Sequence, residues 1–158
     1  MTSYLKFLLT STNHHGVHSP FVFNYLTKCL YAKPRLSKNK VQNILLKSIP
    51  YFGYKNIQIE DTFHKTEIEN QIASLNYSVL PLDMVVVKNL NLSMTLEMMG
   101  SGKVHNKTLF LIQDLRNNRH EWNKTVAHPR ITVSIDAYLL GLLFIRREQV
   151  KEHFTIRL

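Results

Sequence analysis

The sequence holds a single cysteine, Cys29, among its 158 residues. One thiol excludes an intramolecular disulfide and a cysteine-based zinc site, and it suits a reducing cytoplasm. No stretch approaches the roughly 18 uninterrupted apolar residues that cross a bilayer. The longest candidate, 137–145, has the length of a strand, and the apolar residues Tyr4 to Leu9 are too few for a secretory core. Glycine is scarce, present only as Gly16, Gly53, Gly100, Gly102 and Gly141. Internal repeats, low-complexity tracts and linkers are absent. So are a helix-turn-helix, a ribonucleoprotein aromatic motif, a zinc finger and a nucleophile elbow. Acidic residues are few as well: 11 Asp and Glu stand against 20 Lys and Arg, for a formal charge of +9. That balance favours anionic partners and admits nucleic acid, but it describes association rather than fold.

What is present suffices for one domain over 1–158 with a real core, since 44% of the residues are apolar. The front, 1–50, reads as helices. Thr2 to Thr10 is a short amphipathic candidate, broken by Asn13-His14-His15-Gly16. Ser19-Pro20 starts a second helix, with Ser as cap and Pro at the first helical position. In it Val22, Tyr25, Leu26, Cys29 and Leu30 share one face, and packing is the expected role of Cys29. Ser37 is the expected cap of a third helix, with Val41, Ile44, Leu45 and Ile49 on one side and Pro50 closing it.

From about Asn56 the pattern alternates. Asn56 to Glu60 is a strand, and Thr66 to Leu75 a helix with a Thr66/Glu69 capping box. Met84 to Val87 and Leu109 to Ile112 are continuous runs suited to strands covered on both faces. Leu92, Leu96 and Met99 mark a helix stopped by Gly100–Gly102. Another helix carries Trp122 and Val126, with Asn118 and Glu121 as caps and His128-Pro129 as its end. Ile131 to Ile135 and Leu140 to Ile145 form an antiparallel pair, and Phe154, Ile156 and Leu158 alternate as a short edge strand. Helices between strands predict an α/β sheet with crossover helices, the front acting as a cap.

Two segments carry a resemblance. His15-Gly16-Val17-His18-Ser19-Pro20-Phe21-Val22-Phe23 is similar to an "HGxHSPFVF" string near the N-terminus of a family of bacterial class I S-adenosylmethionine-dependent methyltransferases. Ala127 to Asp136, leading into Gly141 to Phe154, resembles that family's last two strands and tail. Together the segments span roughly the first 30 and last 50 residues. The resemblance implies an incomplete Rossmann-like mixed sheet with an antiparallel C-terminal strand pair and an N-terminal helical cap. The region 51–158 is then a shortened methyltransferase-like α/β unit, because family members are longer by about half in the centre.

The implied cofactor is S-adenosylmethionine, whose approach to the backbone needs glycine after the first strand. The family's "LELGTSxG" segment corresponds to Ile57-Gln58-Ile59-Glu60-Asp61-Thr62-Phe63, where Asp61 takes the first glycine position. On a second alignment Asn56 to Glu60 is the family's second strand, and Glu60 is the ribose-gripping carboxylate. The family's "DLVFIDGNH" corresponds to Asp83 to Asn91, with Lys88 at the acidic position, and its "FDD" to Ile112-Gln113-Asp114. The candidate cofactor-binding residues are therefore Glu60, Asp61 and Asp114. No metal is expected, since one Asp makes no oxygen-ligand site and His14, His15 and His18 sit at a helix entry. His18 is expected to tie that loop to a backbone carbonyl, and His105, His120, His128 and His153 stand isolated. Three functions follow: a methyltransferase-like protein with an eroded cofactor motif, a non-catalytic homologue (a pseudoenzyme) acting as a binding or partner module, or a small basic nucleic-acid-binding protein. A shortened sheet also leaves an unpaired edge, so a homo-oligomer is expected.

Overall fold

The computed structural model describes residues 3–158. Thr2, the start of the first predicted helix, lies outside the described residues.

The described residues form six α-helices and seven strands. The helical front comprises α1 (Ser3–Thr10), α2 (Pro20–Tyr25), a π-helical turn over Leu26–Leu30, and α3 (Lys40–Phe52). Then follow β1 (Asn56–Ile59), α4 (Thr62–Gln71), β2 (Asn76–Tyr77), β3 (Leu82–Val87), α5 (Leu92–Gly100) and β4 (Val104–Ile112). The remainder is α6 (Arg119–Ala127), β5 (Val133–Asp136), β6 (Gly141–Phe144) and β7 (Glu152–Thr155). All strands join one mixed sheet in the order β2-β1-β3-β4-β6-β5-β7. β2, β1, β3 and β4 are parallel, β6 is antiparallel to both β4 and β5, and β7 is parallel to β5. The α/β class, the antiparallel pair, the edge strand and the helical cap match the sequence expectations.

The continuous apolar strands are covered on both faces, as period-two alternation requires. Ile57, Met84, Val86, Leu109, Leu111 and Phe144 pack under Tyr25, Leu26, Leu45, Ile49 and Ile68 of the front and α4. Val85, Val87, Phe110, Ile112 and Leu143 pack under Met98 of α5 and Trp122 of α6.

Several helix ends differ from the sequence reading, each for a local reason. Asn39, not Ser37, caps α3 by accepting the Gln42 N–H at 3.1 Å, while the Ser37 hydroxyl accepts the Asn39 N–H. Pro50 does not end α3; the helix runs to Phe52 and stops at Gly53, whose φ of 68° is the left-handed cap conformation glycine adopts freely. α4 begins at Thr62 because Asp61 caps it, and Thr66 bonds the Thr62 carbonyl instead of forming a capping box. The helix expected around Leu92, Leu96 and Met99 is α5, which buries Thr95 and Met98 most deeply, with Met99 packed against the same cluster. β2 is two residues long and starts with a polar Asn, too little to register as a hydrophobic pattern.

The two segments behind the resemblance meet in space. Ser19 caps α2, Pro20 follows, and the Phe21 ring packs edge-on against Phe144 with centroids 5.0 Å apart. The Arg146 guanidinium lies 4.5 Å over the Phe21 ring. Thr12 bridges Ile156, and Tyr31 Oη donates to the Arg157 carbonyl at 2.8 Å. The HSPFVF string thus builds the joint between cap and sheet. His18 is exposed and bonds no carbonyl among the described residues, contrary to the role expected for it.

Candidate functional site at the carboxyl ends of the parallel strands

In an open α/β sheet, ligands collect outside the carboxyl ends of the strands, where the chain leaves two neighbours in opposite directions. Here that point lies between β1 and β3. α4 leaves β1 onto the cap face, where Ile68 is buried, and α5 leaves β3 onto the other face, where Met98 is buried. The residues at the two strand ends are Glu60 and Asp61 beside Lys88 and Asn89.

Glu60 follows β1 directly and hydrogen-bonds as if the ladder continued: its N–H donates to the Val86 carbonyl at 3.2 Å. Its side chain then crosses to β3, and Oε2 accepts the Lys88 N–H at 3.1 Å. Asp61 turns the other way, with Oδ1 accepting the His64 N–H at 3.0 Å at the start of α4. Asp114 follows β4. Its Oδ2 accepts the Asn117 amide at 2.7 Å, and Oδ1 accepts the Asn117 N–H at 3.4 Å. With adjacent strands about 4.8 Å apart, Asp114 stands about 10 Å from the end of β1. The structure therefore brings Glu60 and Asp61 together and keeps Asp114 apart. No hydrogen bond links Asp114 to either among the described residues.

The residue that organises this edge is Asn118, which the sequence reading treated only as a helix cap. It occupies the cap position of α6 but makes no side-chain cap bond. Its Oδ1 accepts the Leu90 N–H at 2.9 Å, and its Nδ2 donates to the carbonyls of Lys88 at 2.9 Å and Asp114 at 2.6 Å. Glu121 is likewise diverted from capping and accepts the Leu92 N–H at 3.2 Å. Nothing in the spacing of Asn118 signals a stitch between loops 30 residues apart, because the two loops become neighbours only through the pairing of β3 and β4.

The opposite edge has its own anchor. Asp83 Oδ2 accepts the N–H groups of Lys55 and Asn56, both at 2.8 Å, and Oδ1 lies 2.8 Å from His105 Nε2. Burial pushes the Asp83 carboxyl up, but those two N–H groups and His105 outweigh it and hold it below the ordinary range. His105 is therefore not isolated, and neither is His153, whose Nδ1 lies 2.8 Å from Ser134 Oγ.

Glu60, Asp61 and Asp114 line none of five cavities on the described surface. Among the described residues no three His, Cys, Asp or Glu side chains cluster closely enough to hold a metal ion. Among the described residues no helix is long and apolar enough to cross a membrane. Chemically, the β1–β3 edge presents two carboxylates, Glu60 and Asp61, each already accepting a backbone N–H, beside the exposed Lys88 and Asn89. Compared with family models, curated proteins and solved structures, the chain matches none.

Proposed function

We propose that this chain is a methyltransferase-like protein that has lost cofactor binding and serves as a non-catalytic binding or partner module. The observation that carries this reading is the Glu60 carboxylate accepting the Lys88 N–H at 3.1 Å across the β1–β3 switch point. An adenosyl ligand at such a point needs close backbone approach and free N–H donors. Here one strand-end donor is taken by Glu60, a first-turn donor of α4 is taken by Asp61, and neither position is glycine. The residues present do not fit S-adenosylmethionine.

The connection from β2 to β3 supports the view of a shortened family member. These parallel strands are joined by Ser78 to Pro81 alone, beside the start of β1, where Asn56 Nδ2 donates to the Pro81 carbonyl at 3.1 Å. Parallel crossovers ordinarily take a dozen or more residues, usually with a helix. On this reading the deleted unit followed β2, and β1 with α4 corresponds to the family's first strand and helix.

Calorimetric titration of the full chain with S-adenosylmethionine and S-adenosylhomocysteine tests the proposal. The expected result is no saturable heat and no melting shift at millimolar ligand. Saturable binding by the native chain that Glu60→Ala abolishes would overturn it.

A further inference from the structure

The positive charge of this protein is not spread over the molecule. Residues 1–59 contain eight Lys and Arg and no Asp or Glu, whereas the rest contains twelve bases and eleven acids. Of the +9, only +1 belongs to the sheet region. None of the eight front bases takes part in an ion pair among the described residues; the six ion pairs all lie beyond residue 59.

Four of these bases, Lys33, Arg35, Lys40 and Lys47, converge on one cavity of about 200 Å³ between α3 and the loop that precedes it. No Asp or Glu side chain lines it. Its floor is apolar, from Leu30, Ile44 and the ring of Tyr31. The walls are held in shape by the cations and by Asn43. Asn43 Oδ1 accepts the Leu36 N–H at 2.8 Å, pinning the loop to α3. Arg35 donates through Nε to the Ser37 carbonyl at 2.7 Å and through Nη2 to Lys38, and Lys47 Nζ donates to the carbonyls of Leu30 and Ala32. Lys40 Nζ reaches a main-chain oxygen of Leu158 at 2.8 Å. The partners of Arg35 and Lys47 are peptide carbonyl oxygens, which orient a cation without neutralising it. Lys33 makes no hydrogen bond among the described residues.

We propose that this cavity is a binding site for a compact organic phosphate, with the phosphoryl oxygens taken by Lys33, Arg35 and Lys40 and the carbon portion lying on Tyr31, Leu30 and Ile44. Convergent cations without an Asp or Glu partner select multiply charged oxyanions. The walls are fixed before the ligand arrives, which lowers the cost of binding. The volume favours a phosphoryl or diphosphoryl group over a large ligand, since drug-sized ligands occupy roughly 300–1,000 Å³. A concave site of this size also favours a small anion over the backbone of a nucleic acid. The inference does not rest on the reading of the strand edge.

The test is calorimetric titration of the full chain with pyrophosphate at constant ionic strength, with chloride as the balancing anion. One saturable site is expected. Lys33→Ala and Lys40→Gln should each weaken it about fivefold, the upper range of a single partly exposed ion pair, and Lys33→Glu more than tenfold. Lys107→Ala, an exposed base of β4 that does not line the cavity, should leave affinity within about twofold if local contacts rather than net charge govern binding. Circular dichroism of each variant separates loss of binding from loss of fold, and Lys33→Ala removes no hydrogen bond or ion pair among the described residues. Absence of saturable heat at 10 mM, a figure on the order of the weakest specific affinities, would overturn the proposal. So would equal weakening by Lys107→Ala, or duplex DNA binding that pyrophosphate does not displace.

Discussion

Replacing Asn118 by Ala removes three hydrogen bonds at once, those to the Leu90 N–H and to the carbonyls of Lys88 and Asp114. The largest cost is at Leu90, whose N–H is buried and finds no substitute; a buried unsatisfied donor costs about 1–3 kcal/mol. The two carbonyls lose a donor in partly buried settings, at about 0.5–1.5 kcal/mol each. The total is about 3 kcal/mol, which in a domain of this size lowers Tm by about 6–12 °C. Urea denaturation should show a lower midpoint with an unchanged slope. Hydrogen exchange should accelerate most at Leu90 and in the 88–91 loop. If Asn118 were merely a helix cap, Asn118→Ser or Asn118→Asp would restore stability, since both are good caps. The account requires that they do not, because neither reproduces two donations and one acceptance together. A loss below about 1 kcal/mol for Asn118→Ala, or full recovery with Ser, would refute the stitch.

Gly141→Ala should destabilise by about 1–3 kcal/mol, the usual range of core overpacking. A Cβ there would collide with the ring of Trp122, which is buried. Pairing it with Trp122→Phe should recover part of the loss, a non-additivity that a double-mutant cycle detects. Asp83 is held below its ordinary value of 3.8, so its contribution to stability is full above that pH and is lost as pH falls below it. Denaturation midpoints measured from pH 5 downward should therefore fall less steeply in Asp83→Asn than in the native chain. Burial raises the Cys29 thiol to about 11, with Lys47 and Ser48 pulling the other way. A thiol reagent at pH 7.5 should react with it only as fast as the protein opens, and rapid labelling of the folded chain would contradict this.

Most of the architecture is legible in the sequence because it rests on patterns that act locally. Met84 to Val87 and Leu109 to Ile112 could only be strands covered twice. Ser19-Pro20 had to start a helix, and the alternation of Ile131, Val133 and Ile135 had to be half of a pair. What was not legible depends on contacts between distant segments. Asn118 has the spacing of a cap but serves loops that only the sheet brings near it. Thr66 and Glu69 have the spacing of a capping box, yet Asp61 starts the helix a turn earlier by accepting the His64 N–H, which leaves Thr66 inside the helix. β2 escaped notice because two residues, one of them Asn, carry no periodicity. The candidate site was legible in outline only. The residues at the ends of β1 and β4 were identified, but that Glu60 would spend its carboxylate on the Lys88 N–H could not be read from a charge in a loop. The cavity lined by Lys33 and Lys40 was not legible, because the sequence does not show that Asn43 and Lys47 of α3 hold the preceding loop in place.

The central claim, that the β1–β3 edge is closed by its own side chains, is tested most directly by amide NMR of the ¹⁵N-labelled chain titrated with S-adenosylhomocysteine. The account predicts that the amides of Glu60, Asp61, Lys88 and Asp114 hold their positions throughout, with the Lys88 amide moving only when Glu60 is changed to Ala. Saturable shifts of these four amides in the native chain would contradict it.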